Sequence, residues 1–191
     1  MGSGNAQVDR DGRMVHPPAR WQPGDTVVAP LDFYRGEVLP AWVDYNRHMT
    51  EAAYLTAFGW ASDALFTYIG DDDQYRTEGH SFYTVETHIA YLREAAERAP
   101  LRITTRVLGV DRKRLLIYHE MFHGTDDTLL ATTEQMLVHV DMNAARSVTI
   151  LPDVRDALEA IAAVHRGLPP ADRAGHFSLP SPHGGGRPNT E

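Results

Sequence analysis

The chain has 191 residues, no cysteine, 42% apolar and 23% charged residues, and a formal net charge of −8. That length supports one domain with a real core, and the missing cysteine excludes disulfides, thiolate metal sites and a cysteine nucleophile. The negative balance disfavours nonspecific contact with nucleic acid or an anionic membrane. No apolar run approaches the ~20 residues of a membrane helix, and the N-terminus lacks a basic-then-apolar signal pattern. A cytoplasmic protein is expected.

Residues 1–32 form an irregular N-terminal arm, punctuated by Gly2, Gly4, Gly12, Pro17, Pro18, Pro23, Gly24 and Pro30. A single domain is expected over 33–167. Phe33 to Val43 suits a first strand, with Pro40 demoting part of it to an edge or bulge. A short polar loop, Asp44-Tyr45-Asn46-Arg47-His48, comes next, and Thr50 is placed to cap a helix whose first turn holds Glu51. Tyr54, Phe58, Ala61, Leu65 and Ile69 then recur at helical steps, with Ala57, Trp60 and Ala64 widening the apolar stripe. Gly70 is a natural C-cap before the acidic Asp71-Asp72-Asp73. Gly59, inside the helix, is explained by a close approach to a sheet or is simply tolerated at ~1 kcal/mol.

Strands follow. Ser81 to Leu92 is rich in β-branched and aromatic residues; Leu101, Ile103, Thr105 and Val107 alternate with Arg102, Thr104 and Arg106. Asp111-Arg112-Lys113 turns the chain into Leu115–Phe122, and Thr125-Asp126-Asp127 turns it into Leu129–Val140. A last helix, capped by Asp153, carries Val154, Leu158, Ile161 and His165 on one face and ends at Gly167 and Pro169. Residues 168–191, rich in proline and glycine, read as a flexible tail. One long helix followed by strands joined through hairpin turns predicts an α+β fold, a mostly antiparallel sheet wrapped around a central helix.

The loop carries the chemistry. A carboxylate, an amide and an imidazole stand beside a helix N-terminus, which offers unpaired N–H groups and partial positive charge. Those are the parts of an acyl-transfer site: a base or nucleophile, an orienting group and oxyanion donors. The plainer alternative is that Asp44 and His48 only cap the turn and the helix. Glu86 and His88 share one face of the long strand, and Tyr83, Val85, Ile89 and Tyr91 occupy the other, the more core-like set. No metal is expected: His119 and His123, four apart on a strand, are ~13 Å apart, and Glu86 with His88 or His139 with Asp141 are only pairs. No HExxH, GxSxG, Walker loop or GxGxxG is present.

In this order of elements and in Asp44, Asn46, His48 and the following Tyr54, the sequence resembles the hotdog-fold acyl-CoA thioesterases. Their loop reads Asp-x-Asn-x-His-x-Asn with a Tyr six residues after the His; Thr50 departs from the usual Asn. The resemblance covers roughly 34–142. A closer likeness, to the betainyl-CoA thioesterases of bacterial carnitine degradation, rests on Trp42 to Met49, Gly79 to His88 and His139-Val140-Asp141. It implies thioester hydrolysis without a cofactor, Asp44 serving as general base or nucleophile, with Asn46 and His48 orienting and N–H groups around Met49 to Ala52 polarising the carbonyl. It makes Glu86 a further catalytic or binding candidate, because this strand commonly contributes to the cleft of hotdog dimers. A solvated Glu86 is the alternative.

A betaine acyl group is a quaternary ammonium, which suits an aromatic cage. Trp42, Tyr45, Trp60, Phe82 and Tyr83, with Tyr54, are the substrate-binding candidates, core packing being the alternative for each. CoA phosphates have Arg93, Arg102, Arg106, Arg146 and the Arg112-Lys113-Arg114 run available, the last reading first as a solvated hairpin tip. The resemblance also implies a homodimer or homotetramer. Hydration of an enoyl-CoA is disfavoured, because that pattern is Asp-x-Asn-Pro-x-His. Another short or aromatic acyl group, or acyl-CoA binding without turnover, stays open.

Overall fold

A computed structural model describes residues 7–8, 14–15 and 19–179. Its strands are β1 (Gln7–Val8), β2 (Met14–Val15), β3 (Leu31–Glu37), β4 (His80–Tyr91), β5 (Pro100–Val110), β6 (Arg114–His123), β7 (Leu129–Asp141) and β8 (Arg146–Ser147). The helices are α1 (Glu51–Ile69), α2 (Asp73–Thr77) and α3 (Pro152–His165). All strands join one antiparallel sheet in the order β1-β2-β3-β5-β6-β7-β4, with β8 beside β7. This is the expected α+β hotdog architecture, α1 lying in the curl of the sheet. No helix among the described residues is long and apolar enough to cross a membrane.

The apolar stripe of α1 explains that packing. Tyr54, Phe58, Ala61, Leu65 and Ile69 are all at most 3% exposed, and burying each large side chain contributes ~1.5–3 kcal/mol. The N-terminal half of α1 packs with Leu101, Ile103, Met121 and Ala131. The C-terminal half packs with Val107, Leu115, Ile117, Leu137 and the apolar face of α3. Gly70 adopts φ +94° and ends the helix with its N–H on Phe66 and Thr67 carbonyls, a conformation that costs an L side chain.

Several expected details differ. The first strand starts at Leu31 and stops at Glu37; Pro40 opens a 3-10 turn over Pro40–Trp42 instead of continuing an edge. Pro lacks the ladder N–H and suits the first position of a turn. Short strands interrupt the arm, and α2 and β8 had no strong period to announce them. Leu151, not Asp153, is the N-cap of α3, with Pro152 at the first helical position. A Cβ on Gly59 would meet nothing within 4 Å, so no close approach explains that glycine.

The β4 face expected to be core-like is largely exposed: Tyr83 is 52%, Val85 53% and Tyr91 49% accessible. The register of β4 against β7 slips between Thr84 and Glu86, so Val85 is a bulge and the alternation reverses there. Beyond the bulge Thr87, Ile89 and Tyr91 are opposite Gln135, Thr133 and Ala131, on the α1 side, while Glu86 and His88 are opposite Met136 and Glu134, on the outer side. β4 is an edge strand, so even its inward face is incompletely covered.

The outer side of the sheet is not bare. Residues 168–179 cross it, held by the carboxylate of Glu134, itself 1% exposed. It accepts N–H bonds from Gly175 and His176 at 2.9 Å and from Phe177 at 3.2 Å. Arg106 donates to the Pro169 carbonyl at 2.8 Å, and the His176 ring stacks on His88 with centroids 3.4 Å apart. The rest of the expected tail, 180–191, lies outside the described residues.

Candidate active site

The Asp44 loop closes on itself before α1 begins. Val43 bridges Met49, Asp44 donates its N–H to the His48 carbonyl at 3.1 Å, and Arg47 donates to the Asp44 carbonyl at 2.9 Å. Arg47 takes φ +63° to turn the chain back. Inside this turn Asp44 Oδ1 accepts the Asn46 N–H at 2.8 Å and the His48 N–H at 3.4 Å, an Asx-type arrangement. Oδ2 has only a long 3.5 Å contact from the Asn46 amide. One oxygen therefore holds the turn, and the other makes no short bond.

The loop is braced from the β4–β5 connection. Met49 N–H donates to the Ala95 carbonyl at 2.8 Å, His48 bridges Ala96, and Arg47 pairs with Glu97 at 2.9 Å. The His48 imidazole does not reach Asp44; its Nδ1 is 3.3 Å from Glu94 Oε2. His48 thus serves Asp44 through its backbone, and its ring turns toward a second carboxylate.

The helix N-terminus narrows the set of possible oxyanion donors. Met49 and Thr50 N–H groups are spent on Ala95 and Trp42 carbonyls, and Ala53 and Tyr54 N–H groups bond the Thr50 carbonyl. The Thr50 side chain makes no capping bond, although Thr50 does occupy the N-cap position. Among the described residues nothing accepts from the N–H groups of Glu51 and Ala52. They carry the positive end of a helix of 19 residues.

Beside these donors lies a shallow pocket of about 270 Å³, bordered by Met49, Glu51, Tyr54, Tyr91, Arg93 and Glu94. Tyr54 is 3% exposed, its hydroxyl donates to the Arg93 carbonyl at 3.0 Å, and burial pushes that hydroxyl above its ordinary ionisation range. Tyr91 meets Tyr54 edge-on with centroids 5.4 Å apart and donates to the Glu51 carbonyl at 3.3 Å. Tyr91 and Glu94 belong to no motif and are not among the residues expected from sequence, and Glu51 is expected there only for its backbone N–H. Only the position of Glu51 in the first turn of α1 signalled it.

The other candidates scatter within the protomer. Trp42 and Trp60 pack on each other at 5.0 Å, and Trp60 lies 6.4 Å from Tyr34, a half-buried aromatic cluster. Tyr45 is 93% exposed at the loop tip. Phe82 is buried, stacked on Phe66 at 5.9 Å and near His139. Phe66 is sixteen residues after Thr50, or roughly 24 Å along the helix, so Phe82 sits at the opposite end from Asp44. Tyr83 is exposed on the edge, and Glu86 occupies the outer side of the sheet. Arg102 is engaged with Asp127 and Asp32, and Arg106 with Glu120.

Comparison with known proteins agrees with this architecture. The thioesterase-like superfamily model matches residues 38–158. A betainyl-CoA thioesterase of Pseudomonas aeruginosa is 43% identical over 146 residues, which is 76% of this chain and 92% of that protein. An L-carnitine dehydrogenase/betainyl-CoA thioesterase of Agrobacterium fabrum is 47% identical over 76% of this chain, which spans only 30% of that longer protein. A crystal structure of a candidate thioesterase from Pseudomonas putida superposes with TM-score 0.67 at 35% identity, covering 81% of this chain and all of the other. With a matched family model over most of its length and a hotdog sheet around its long helix, the chain belongs to the thioesterase-like superfamily.

Proposed function

We propose that this protein hydrolyses betainyl-CoA to betaine and free CoA. The observation that carries the reading is the 43% identity to a betainyl-CoA thioesterase along nearly that protein's whole length. The site is consistent with it. A thioester is an activated acyl donor, so a carboxylate suffices once the carbonyl is polarised.

Asp44 Oδ2 takes a proton from water, the hydroxide oxygen bonds to the carbonyl carbon, and the N–H groups of Glu51 and Ala52 hold the resulting oxyanion. The C–S bond then breaks, and the CoA thiolate leaves and is protonated. Alternatively Asp44 attacks directly and water hydrolyses the mixed anhydride. Asn46 and the His48 backbone orient Asp44 in either case.

The same reading makes the protein a cytoplasmic homodimer or homotetramer joined through β4. That edge exposes Tyr83, Val85 and Tyr91, an apolar strand edge of the kind that pairs. Antiparallel pairing of two such edges sets the start of one β4 beside the end of the other. Tyr83 and Glu86, far from Asp44 within one protomer, approach a partner's Asp44 loop only across that contact, while Phe82 stays in the core. A charge-blocked edge (Val85→Lys) that stays fully active as a monomer would remove the interface from the proposal.

Free-thiol release from betainyl-, acetyl-, longer-chain and aromatic acyl-CoA, with wild type beside Asp44→Asn, tests the proposal. Asp44-dependent release that favours betainyl-CoA is expected. Preference for another acyl group would replace the substrate and keep the mechanism. Binding of CoA esters with no release from any of them would make the protein a binding module.

A further inference from the structure

The acyl group of betainyl-CoA carries a trimethylammonium, which donates no hydrogen bond and needs diffuse negative potential and ring surface. The aromatic side chains first suited to that task are engaged elsewhere: Trp42 and Trp60 on each other, Phe82 at the far end of α1, and Tyr45 in solvent. The pocket beside the Asp44 loop offers what they do not. Tyr91 borders it with an accessible ring, backed edge-on by the buried Tyr54, and both hydroxyls are committed to backbone carbonyls, so ring surface is what Tyr91 presents.

Glu51 and Glu94 add carboxylates, and Arg93 supplies the single opposing charge, so the lining has a net charge of −1 (two Glu against one Arg). At about 270 Å³ the pocket is small, below the usual ~300–1,000 Å³ of drug-sized sites, in keeping with a short acyl group. It also adjoins the right atoms. Glu51 contributes both a wall and an open N–H, and Glu94 lies 3.3 Å from the ring of His48, whose own N–H meets Asp44.

We propose that this pocket is the specificity site for a cationic acyl group: Tyr91, held in place by Tyr54, receives the quaternary ammonium against its ring, and Glu94 and Glu51 set its charge preference. This rests on the betainyl-CoA reading and deepens it, since it assigns the discrimination between a charged and a neutral acyl group to named side chains. The carbonyl sits at the Glu51 and Ala52 N–H groups, and its one-carbon arm reaches the Tyr91 ring.

The test compares kcat/KM for betainyl-CoA with that for tert-butylacetyl-CoA, which has the same shape with carbon in place of nitrogen. Wild type should prefer the cationic ester by about tenfold, the combined size of an accessible cation–ring contact and the nearby carboxylates. Glu94→Gln and Tyr91→Leu should each lower that ratio by about tenfold, and Arg93→Gln should raise it. Glu94 is 78% exposed, so Glu94→Gln leaves the fold intact.

A wild-type preference that survives unchanged in both Glu94→Gln and Tyr91→Leu would overturn the pocket and leave the substrate standing. An equal loss on both esters in Glu94→Gln would also overturn it, because Glu94 would then act only through His48. A wild type that spares betainyl-CoA and cleaves other esters would instead remove the substrate reading itself.

Discussion

Asp44 and Glu134 are both carboxylates gripped by backbone N–H groups, yet their surroundings differ in every other respect. Glu134 lies 1% exposed within β7, with three N–H donors from the strand-crossing tail divided over its two oxygens. Asp44 sits in an accessible loop with one oxygen bonded by N–H groups and the other nearly free, beside helix donors that have no acceptor among the described residues. A buried, fully satisfied charge is a fastener, because removing its partners leaves an expensive orphan. A part-satisfied carboxylate beside unmet donors has free capacity, and the proposed reaction draws on it.

The sharpest way to break the contrast is Asp44→Asn. It keeps the size and most of the turn bonding while removing the base, so turnover should fall by about 10²–10⁴-fold with an unchanged melting midpoint. Activity near wild type, or a collapse in stability equal to the loss of activity, would make Asp44 a second fastener. The complementary change is Glu134→Gln. Weakening three charge-assisted bonds in a dry site should cost roughly 2–4 kcal/mol and free residues 168–179 to protease. Denaturant unfolding and limited proteolysis read both effects. A stable variant with a protected tail would show that the stacked His88 and His176 rings and the Arg106 bond hold the strap without Glu134.

A third test uses buried groups that water does not reach. His119 is fully buried, bonded to Ser62 at 3.0 Å and Thr105 at 2.9 Å. Burial drives its ionisation down to about 3, with the Gln135 side chain opposing weakly. Below about pH 6.5 the unfolded chain therefore binds a proton that the folded chain refuses, and stability is lost as pH falls toward 3. Asp71 works in the opposite direction. Burial raises it to about 6 despite Arg76, so between pH 6 and 3.8 the folded chain holds a proton that the unfolded chain releases, and stability is gained on acidification. Replacing His119 by Gln should make the variant gain on wild type by up to ~1.4 kcal/mol per pH unit across that acid window. Parallel stability curves for the two proteins would show that His119 binds its proton in both states.

The sequence made some of this contrast visible and hid the rest. The helix stripe Tyr54 to Ile69, the hairpin turns and the Asp44 loop follow local rules of period, turn residue and spacing, so the hotdog arrangement was legible from them. Long-range facts were not. The bulge at Val85 reverses which β4 side chains face α1, and nothing local in Thr84-Val85-Glu86 announces it. Glu134 looks like any strand glutamate until residues forty positions later fold over it. Glu94 and Tyr91 enter the pocket only because β4 ends beside the start of α1, a tertiary fact with no motif. Phe82 and Trp60 suit a cation by chemistry, yet within the protomer they pack on Phe66 and Trp42, since large aromatic side chains fill cores far more often than they line sites.

Thr50 gives the smallest effect and separates position from interaction. It occupies the N-cap of α1 with extended backbone, φ −71° and ψ 153°, yet its hydroxyl makes no capping bond. A Thr that caps through its side chain loses typically ~1 kcal/mol on conversion to Ala. Here that bond is absent to begin with, and the first turn is held by the Thr50 carbonyl, which accepts from Ala53 and Tyr54 and which alanine retains. Thr50→Ala should therefore cost less than ~0.5 kcal/mol by denaturant unfolding. A full capping loss would mean that the hydroxyl turns onto the Ala52 N–H in solution, filling the vacancy that the oxyanion requires. The same variant would then release thiol faster than wild type, so stability and turnover measured together distinguish an open helix end from one that Thr50 closes.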